Sequence, residues 1–501
     1  MLLGIDLGNG RTKTAYPDPT GKPQLLPNMQ GELFTPSVVY FPPLPGKPIV
    51  GTEAQNMAAA EPKRVVTDWK RSMGTDDVLY RDEAGAEYRA KDIAHLLLMD
   101  QKAAALARLG KEPNECVICV PANYNDVQKQ QTIEAAERAG MKVLQLAPEP
   151  TAAALGNELY KFPGRKALVY DLGAGTFDVS LVKSNGNVCE VLNTNGVPQL
   201  GGRDFNERIR EEALARFVKE HGYEPTPEHD VLFFQELGER IESVKVGLSV
   251  KSEARLIVRC NGMLLNTVFT RDEFESKTAD LLEQTIECSL KTVEEPGLTV
   301  AEVDEIYCVG GGSLMPMVSG AVEKVFGKKP ARKCEPHYAA ALGAVYVARM
   351  AYQAANRTLK VNDVAIPDLD IYLKDIISYA IGVMVVNDRN KLVFHEILPK
   401  GTSIPSRQMK TYKLDKPGQT VADIEILQGE DGQLRDNCVV LGHCQLKDLP
   451  PSDELTGRLE IDLNLDANGM LTAVIRDRLS GKTAKLEIDY KNSRDKQNTS
   501  E

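Results

Sequence analysis

The chain is 501 residues long, 42% hydrophobic and 26% charged, with 60 Lys and Arg against 71 Asp and Glu and a formal net charge of −11. This length exceeds what one core supports, so two or three domains are expected. So acidic a balance argues against a dedicated nucleic-acid binder, which needs a basic face for phosphates. No uncharged apolar run is long enough to cross a bilayer, no basic-then-apolar leader precedes the first strand, and nine irregularly spaced cysteines read as reduced thiols of a cytoplasmic protein.

From the N-terminus, Leu3-Gly4-Ile5-Asp6-Leu7-Gly8-Asn9-Gly10 is an apolar run ending in Asp, then a glycine turn, with a second alternating run over 12–16. Pro42 to Pro48 reads as a rigid surface loop rather than a polyproline ligand. Residues 116–121 form a short apolar strand stopped by Pro121. Residues 125–139 read as a helix closed by Gly140. The opening pattern then returns at Leu168-Val169-Tyr170-Asp171-Leu172-Gly173-Ala174-Gly175-Thr176-Phe177-Asp178, 165 positions after the first Asp. Two strand–glycine turn–strand units at that spacing point to a duplicated pair of α/β lobes rather than a solenoid. Helices follow over 206–220 and 237–248, a buried strand over 306–309 leads into Gly310-Gly311-Gly312, and 339–355 is an alanine-rich helix.

Beyond 356 the pattern changes. Residues 361–375 lack clear periodicity and read as a linker or edge segment. After that come short β-rich runs at 380–386, 392–398, 421–427 and 438–446. In 459–465, leucine and isoleucine alternate with polar residues, and further runs follow over 470–476 and 483–490. The expected organisation is an α/β region to about 355, a linker over 356–377, an all-β domain over 378–491 and a polar, disordered tail over 492–501.

A glycine hairpin lets several backbone N–H groups converge, which suits a phosphate. One such hairpin is an ordinary turn. Two, each preceded by an Asp at a strand end, read as carboxylates facing across a cleft, suited to the water shell of Mg²⁺. Asp6 and Asp171 are those acids, with Asp178 a third, although two capped turns remain the alternative. Cys116 and Cys119 look like a redox or zinc pair, but on a strand they face opposite sides, so buried thiols are expected. The six histidines form no ligand pattern.

Taken together, Asp6-Leu7-Gly8, Val120-Pro121-Ala122, the run Glu149 to Leu155, the run Asp171 to Asp178 and Val309-Gly310-Gly311 resemble, in order, the heat-shock protein 70 (DnaK-like) chaperones of the actin/sugar-kinase ATPase superfamily. The likeness continues through Leu398-Pro399-x-Gly401-Thr402-x-Ile404-Pro405, Leu427 to Glu430 and Asp466-Ala467-Asn468-Gly469. It implies an actin-like α/β ATPase domain with ribonuclease-H-type duplicated lobes, then a β-sandwich that binds extended polypeptide. Mg²⁺ and ATP or ADP are the implied cofactors. By that resemblance Asp6 and Asp171, with Asp178, hold hydrated Mg²⁺, Lys70 reaches the γ-phosphate and attacking water, Glu149 orients metal-bound water and Thr176 bonds a phosphate oxygen. Gly8, Asn9, Gly10 and Arg11, with Gly173 and Gly175, form the phosphate loops. Glu242, Lys245 and Ser249 contact adenosine, and Gly201, Gly202, Gly310 and Gly311 leave room near ribose and the α-phosphate. On the residues alone, Lys70 reads as a surface lysine, Glu149 as a helix-start acid, and the 242–249 trio as a charged helix face.

Departures from the family shape further expectations. Asn9 and Gly10 stand where the family has hydroxyl residues, and Arg11 where it has asparagine, so slower hydrolysis is expected with ATP binding retained. Leu314 for an arginine, Arg203 for an acid and His337-Tyr338 for an Asp-Glu pair imply altered adenine affinity. J-domain proteins and nucleotide-exchange factors are the implied partners. Gln145, in place of a J-domain-engaging arginine, and Lys374, inside an otherwise apolar linker, weigh against ordinary stimulation. No room for the helical lid follows Tyr490, which implies fast peptide exchange. An actin-superfamily kinase or filament protein, and an ATP-holding regulator or adaptor without turnover, stay as alternatives.

Overall fold

The computed structural model describes residues 1–488 apart from 59, 388, 390, 454 and 455; the expected tail over 492–501 lies outside the described residues. The chain divides into two units. The first comprises Met1–Asn123 and Thr132–Leu373. The second comprises Tyr124–Gln131 and the described residues from Lys374 onward. The fold is mixed α/β with several sheets.

In the first unit, the strand Leu2–Leu7 is buried along its whole length because it lies inside a sheet. It runs parallel to Glu115–Val120 and antiparallel to Arg11–Pro17, with Lys142–Pro148 and Pro23–Leu25 further out. A run apolar on both faces is what a strand covered on both sides needs. The second occurrence of the pattern builds the same arrangement: Lys166–Leu172 is parallel to Glu305–Val309 and antiparallel to Phe177–Asn185, which pairs on to Val188–Val197. Leu168, Tyr170, Phe177, Val179 and Leu181 from this sheet share a core with Phe205, Ile209, Leu237, Ile241 and Val244 from helices Gly202–His221 and Val231–Val250.

The alanine-rich helix Ala339–Ala354 packs unusually close to its neighbours. A Cβ on Gly343 would sit 1.7 Å from the Ala152 carbonyl oxygen, and one on Gly156 would sit 2.1 Å from that of Ala339. Only bare backbone lets this helix and Glu149–Gly156 approach so closely. That contact holds Glu149 at the start of the shorter helix.

Several boundaries differ from the expected ones. The helix expected from 206 begins at Gly202, because Asp204 accepts the Gly201 N–H at 2.7 Å and caps the start. The helix expected over 237–248 runs Val231–Val250; exposed Leu232, Val246 and Val250 obscure its ends by breaking the apolar stripe. The featureless stretch expected over 361–375 contains a hairpin, Lys360–Val361 against Val364–Ala365. Asn362 and Asp363, with φ of 49° and 65°, make its two-residue turn. The division between the units falls within the strand Tyr372–Ile376.

Among its described residues the second unit holds two antiparallel sheets. One orders Leu392–Leu398, Ala380–Val386, Ala422–Gly429, Val439–Leu446 and Glu487–Ile488; the other orders Ser406–Tyr412, Leu459–Leu465, Leu471–Asp477 and Thr483–Lys485. Inward residues of both sheets, among them Val383, Ile426, Cys444, Ile461, Leu463 and Ile475, share one core. Arg458 and Asp477, both nearly inaccessible, pair beside it at 2.7 Å.

Candidate functional site

In the first hairpin Asp6 is the last residue but one of its strand and lies opposite Lys13 in the antiparallel register. In the second, Asp171 holds the same place and lies opposite Asp178. The tips of the two hairpins face each other. A Cβ on Gly10 would lie 3.4 Å from that of Ala174, and one on Gly175 would lie 3.3 Å from Asn9 Nδ2. Further glycines close the surroundings. A Cβ on Gly201 would come within 2.6 Å of the Ala174 and Gly175 backbone. Gly310, at φ +78°, would strike the Leu172 carbonyl at 2.4 Å and Asp171 Oδ1 at 2.5 Å. Gly8 and Gly173 sit at the hairpin turns, Gly202 lies against Lys245, and Gly311 lies beside His337.

Four acids from four elements gather here. Burial raises the Asp171 carboxyl well above its ordinary range, and the neighbouring charges of Glu149, Asp178 and Asp6 push it the same way, while Lys13 pulls it down. Asp178 is pushed up to about 7, first by burial and then by Glu149, against the restraint of the Thr176 hydroxyl, Lys70 and the Ala122 amide. Acids gathered closely enough to raise Asp171 and Asp178 call for cationic charge. Two lysines supply part of it: Lys70 Nζ donates to Glu149 Oε1 and Lys13 Nζ to Asp6 Oδ2, each at 2.8 Å.

Lys70 is carried on a short turn, Trp69–Ser72, anchored by the fully buried Trp69 and entered through Asp68 at φ 55°. Asn9 holds that turn. Its Nδ2 donates to Asp68 Oδ1 at 3.1 Å, and its Oδ1 accepts from the Lys70 N–H at 3.1 Å. The Asn9 amide, expected in a phosphate loop, therefore holds the turn that carries Lys70. Arg71 ties the turn to the second lobe, donating to the Gly175 carbonyl and to Asp204 Oδ2, both at 2.8 Å. Arg203, the departure from an acid, pairs with Asp68 at 3.3 Å.

On helix Val231–Val250, Lys245 is buried and donates to the Gly202 carbonyl at 2.9 Å and to Glu242 Oε2 at 2.7 Å. Burial would raise Glu242, but Lys245, Asn206 and the more distant Arg11 hold it below its usual range. Ser249 bonds back to the Lys245 carbonyl. Arg11 is exposed, its guanidinium 4.3 Å over the Phe34 ring. The sequence reading missed Lys13, Asp68, Arg71 and Asp204. Lys13 could have been found by laying out the hairpin register opposite Asp6; the others are joined only by the tertiary fold.

Among the described residues, no three His, Cys, Asp or Glu side chains close on one point as a direct ligand set does. A cluster of acids without a tight cage fits Mg²⁺, which keeps its waters and takes few protein oxygens. Cys116 and Cys119 are both buried, and burial pushes the Cys116 thiol up to about 12. No helix among the described residues is long and apolar enough to cross a membrane.

A family model described as Hsp70 protein matches residues 2–501. Over 496 residues the chain is 35% identical to proteins named Chaperone protein DnaK from Thermotoga neapolitana, Thermotoga petrophila and Thermotoga maritima, covering 97% of this chain and 80% of each relative.

Proposed function

The chain belongs to the Hsp70 protein family, and on that footing we propose that the cleft between its paired aspartates is where it binds and hydrolyses ATP. It is an ATP-dependent chaperone, an ATPase that uses Mg²⁺ with ATP or ADP and whose turnover is coupled to protein folding. Unfolded polypeptides are its clients, and J-domain and nucleotide-exchange proteins are the family's general co-chaperones.

The observation that carries the placement is the meeting of Asp6, Glu149, Asp171 and Asp178 with the Lys70–Glu149 pair between two facing glycine turns. Asp6, Asp171 and Asp178 would hold hydrated Mg²⁺, which when bound neutralises phosphate charge. Phosphoryl transfer to water needs positioning and charge rather than covalent help. Lys70 sets its ammonium where negative charge grows on the transferred group. Glu149, fixed by Lys70 at one oxygen, keeps the other to accept from water. Thr176, whose hydroxyl bonds Asp178, would turn that proton to a phosphate oxygen. Gly8, Gly10, Gly173 and Gly175 present backbone N–H groups, and Gly201, Gly202, Gly310 and Gly311 make room for sugar and phosphate. Glu242 and Lys245, locked together and to Gly202, form the adenosine side with Ser249.

In finer terms we assign residues 1 to about 355 as an actin-like ATPase domain and 356–377 as a linker, and the two-sheet region beyond as a β-sandwich that adds peptide strand-wise in an apolar groove. A cytoplasmic location is part of this reading, in keeping with the free thiols of Cys116, Cys119, Cys189, Cys260, Cys308 and Cys334. The test is single-turnover hydrolysis of bound ATP, with and without an unfolded client. Lys70→Ala and Asp171→Asn should each lower the rate by about a hundredfold or more while the protein stays folded. Unchanged rates in both would overturn the site. An extended apolar peptide should raise fluorescence anisotropy on binding, and silence in every nucleotide state would remove the peptide assignment.

A further inference from the structure

Lys13 has no part in the assignments above. It pairs with Asp6 across the first hairpin, so both side chains leave the same face of the sheet. Its ammonium is largely withdrawn from solvent, the side chain being 14% exposed, and it lies 3.6 Å from where a Cβ on Gly8 would be. It therefore sits beside the glycine turn. An ammonium has three N–H donors. Among the described residues Asp6 is its one hydrogen-bond partner, at 2.8 Å, which leaves two donors unclaimed in a place with little water. Its charge reaches the opposite lobe too, opposing in small part the burial that raises the Asp171 carboxyl, and it adds to the burial that disfavours protonation of His337 beside Gly311.

A shielded cation with spare donors next to a phosphate-type turn is suited to an anion. We propose that Lys13 is a phosphate-binding residue of this cleft, donating to nucleotide phosphate oxygens with its two unclaimed N–H groups while Asp6 keeps the third and fixes the side chain. The proposal rests on the nucleotide placement given above. Lys70, held by Glu149, serves the transferred group, whereas Lys13, held by Asp6 at the turn, serves the phosphates that stay with the nucleotide.

The test is equilibrium binding of ADP and of adenosine in EDTA, so that no metal contributes. Lys13→Met should weaken ADP by roughly ten- to a hundredfold, the loss of one or more charge-assisted bonds. Adenosine should stay within about twofold, and Lys13→Arg should recover most of the ADP affinity. Equal losses for both ligands, or no loss for ADP, would overturn the proposal. In the double variant Asp6→Asn/Lys13→Met, ADP binding should stay as weak as in Lys13→Met. Restored binding would mean that Lys13 only neutralises Asp6, which also overturns it. Gly310→Ala separates the two layers of argument. If Gly310→Ala weakens ADP and Lys13→Met does not, the Lys13 proposal alone falls. If neither weakens ADP, the nucleotide is not in this cleft and the placement falls as well.

Discussion

Single side chains here act through what they hold. Asn9 shows it: its amide bridges Asp68 and the Lys70 N–H, so a residue of the first glycine turn anchors the turn that carries Lys70. A titrating group away from the cleft offers a test of the electrostatics. Asp100, on helix Ala90–Leu109, is desolvated with only Gln101 to restrain it, and its carboxyl is pushed up to about 6 from 3.8. An acid raised in the folded state holds its proton more tightly there than in the unfolded chain. Its contribution to stability therefore falls as pH rises from about 4 to about 6 and stays unfavourable above that. Asp100→Asn should melt higher than the parent protein at pH 7.5, by an amount equivalent to roughly 1–2 kcal/mol for a partly exposed group, and the two should converge at pH 4. A gap of the same size at both pH values would contradict the assignment.

Elements show why some parts were legible and others were not. The two glycine hairpins, the 125–139 and 339–355 helices and the alternating 459–465 strand were readable, because local periodicity and turn residues specify them without help. The hairpin at Lys360–Ala365 passed as linker because its strands are two residues each, although Asn362-Asp363 was a turn signal in plain view. The ion pair Arg458–Asp477 was invisible: two charges at the ends of neighbouring strands read as surface until the second sheet's packing buries both. Asp477 also accepts from Ser480, so its carboxylate is fully engaged. Asp477→Ala strands the guanidinium, and chemical denaturation should show a loss of roughly 3–5 kcal/mol. A loss under about 1 kcal/mol would mean water reaches Arg458 after all.

At the scale of the whole molecule, ligand and stability are linked through mass action. A nucleotide that binds only the folded cleft stabilises the unit that contains it by about 2.7 kcal/mol at a hundredfold excess over Kd. Saturating Mg-ADP should therefore raise the melting transition carrying the first unit by several degrees, and Asp171→Asn should shrink the shift. A transition indifferent to ADP in the parent protein would contradict nucleotide binding there.

From residue order alone came the duplicated lobes, the change to an all-β region and the acids and glycines of both hairpins, since these are patterns of short range that recur or alternate along the chain. Tertiary folding decided the rest. It tied Asn9 to Asp68 and to Lys70, joined Arg71 to Asp204 across 133 positions, and buried Asp171 and Asp178 among other acids so that both carboxyls are raised. Interactions between residues far apart in sequence leave no periodic trace in it, and burial, which sets the strength of each charge, exists only once the lobes have closed around them.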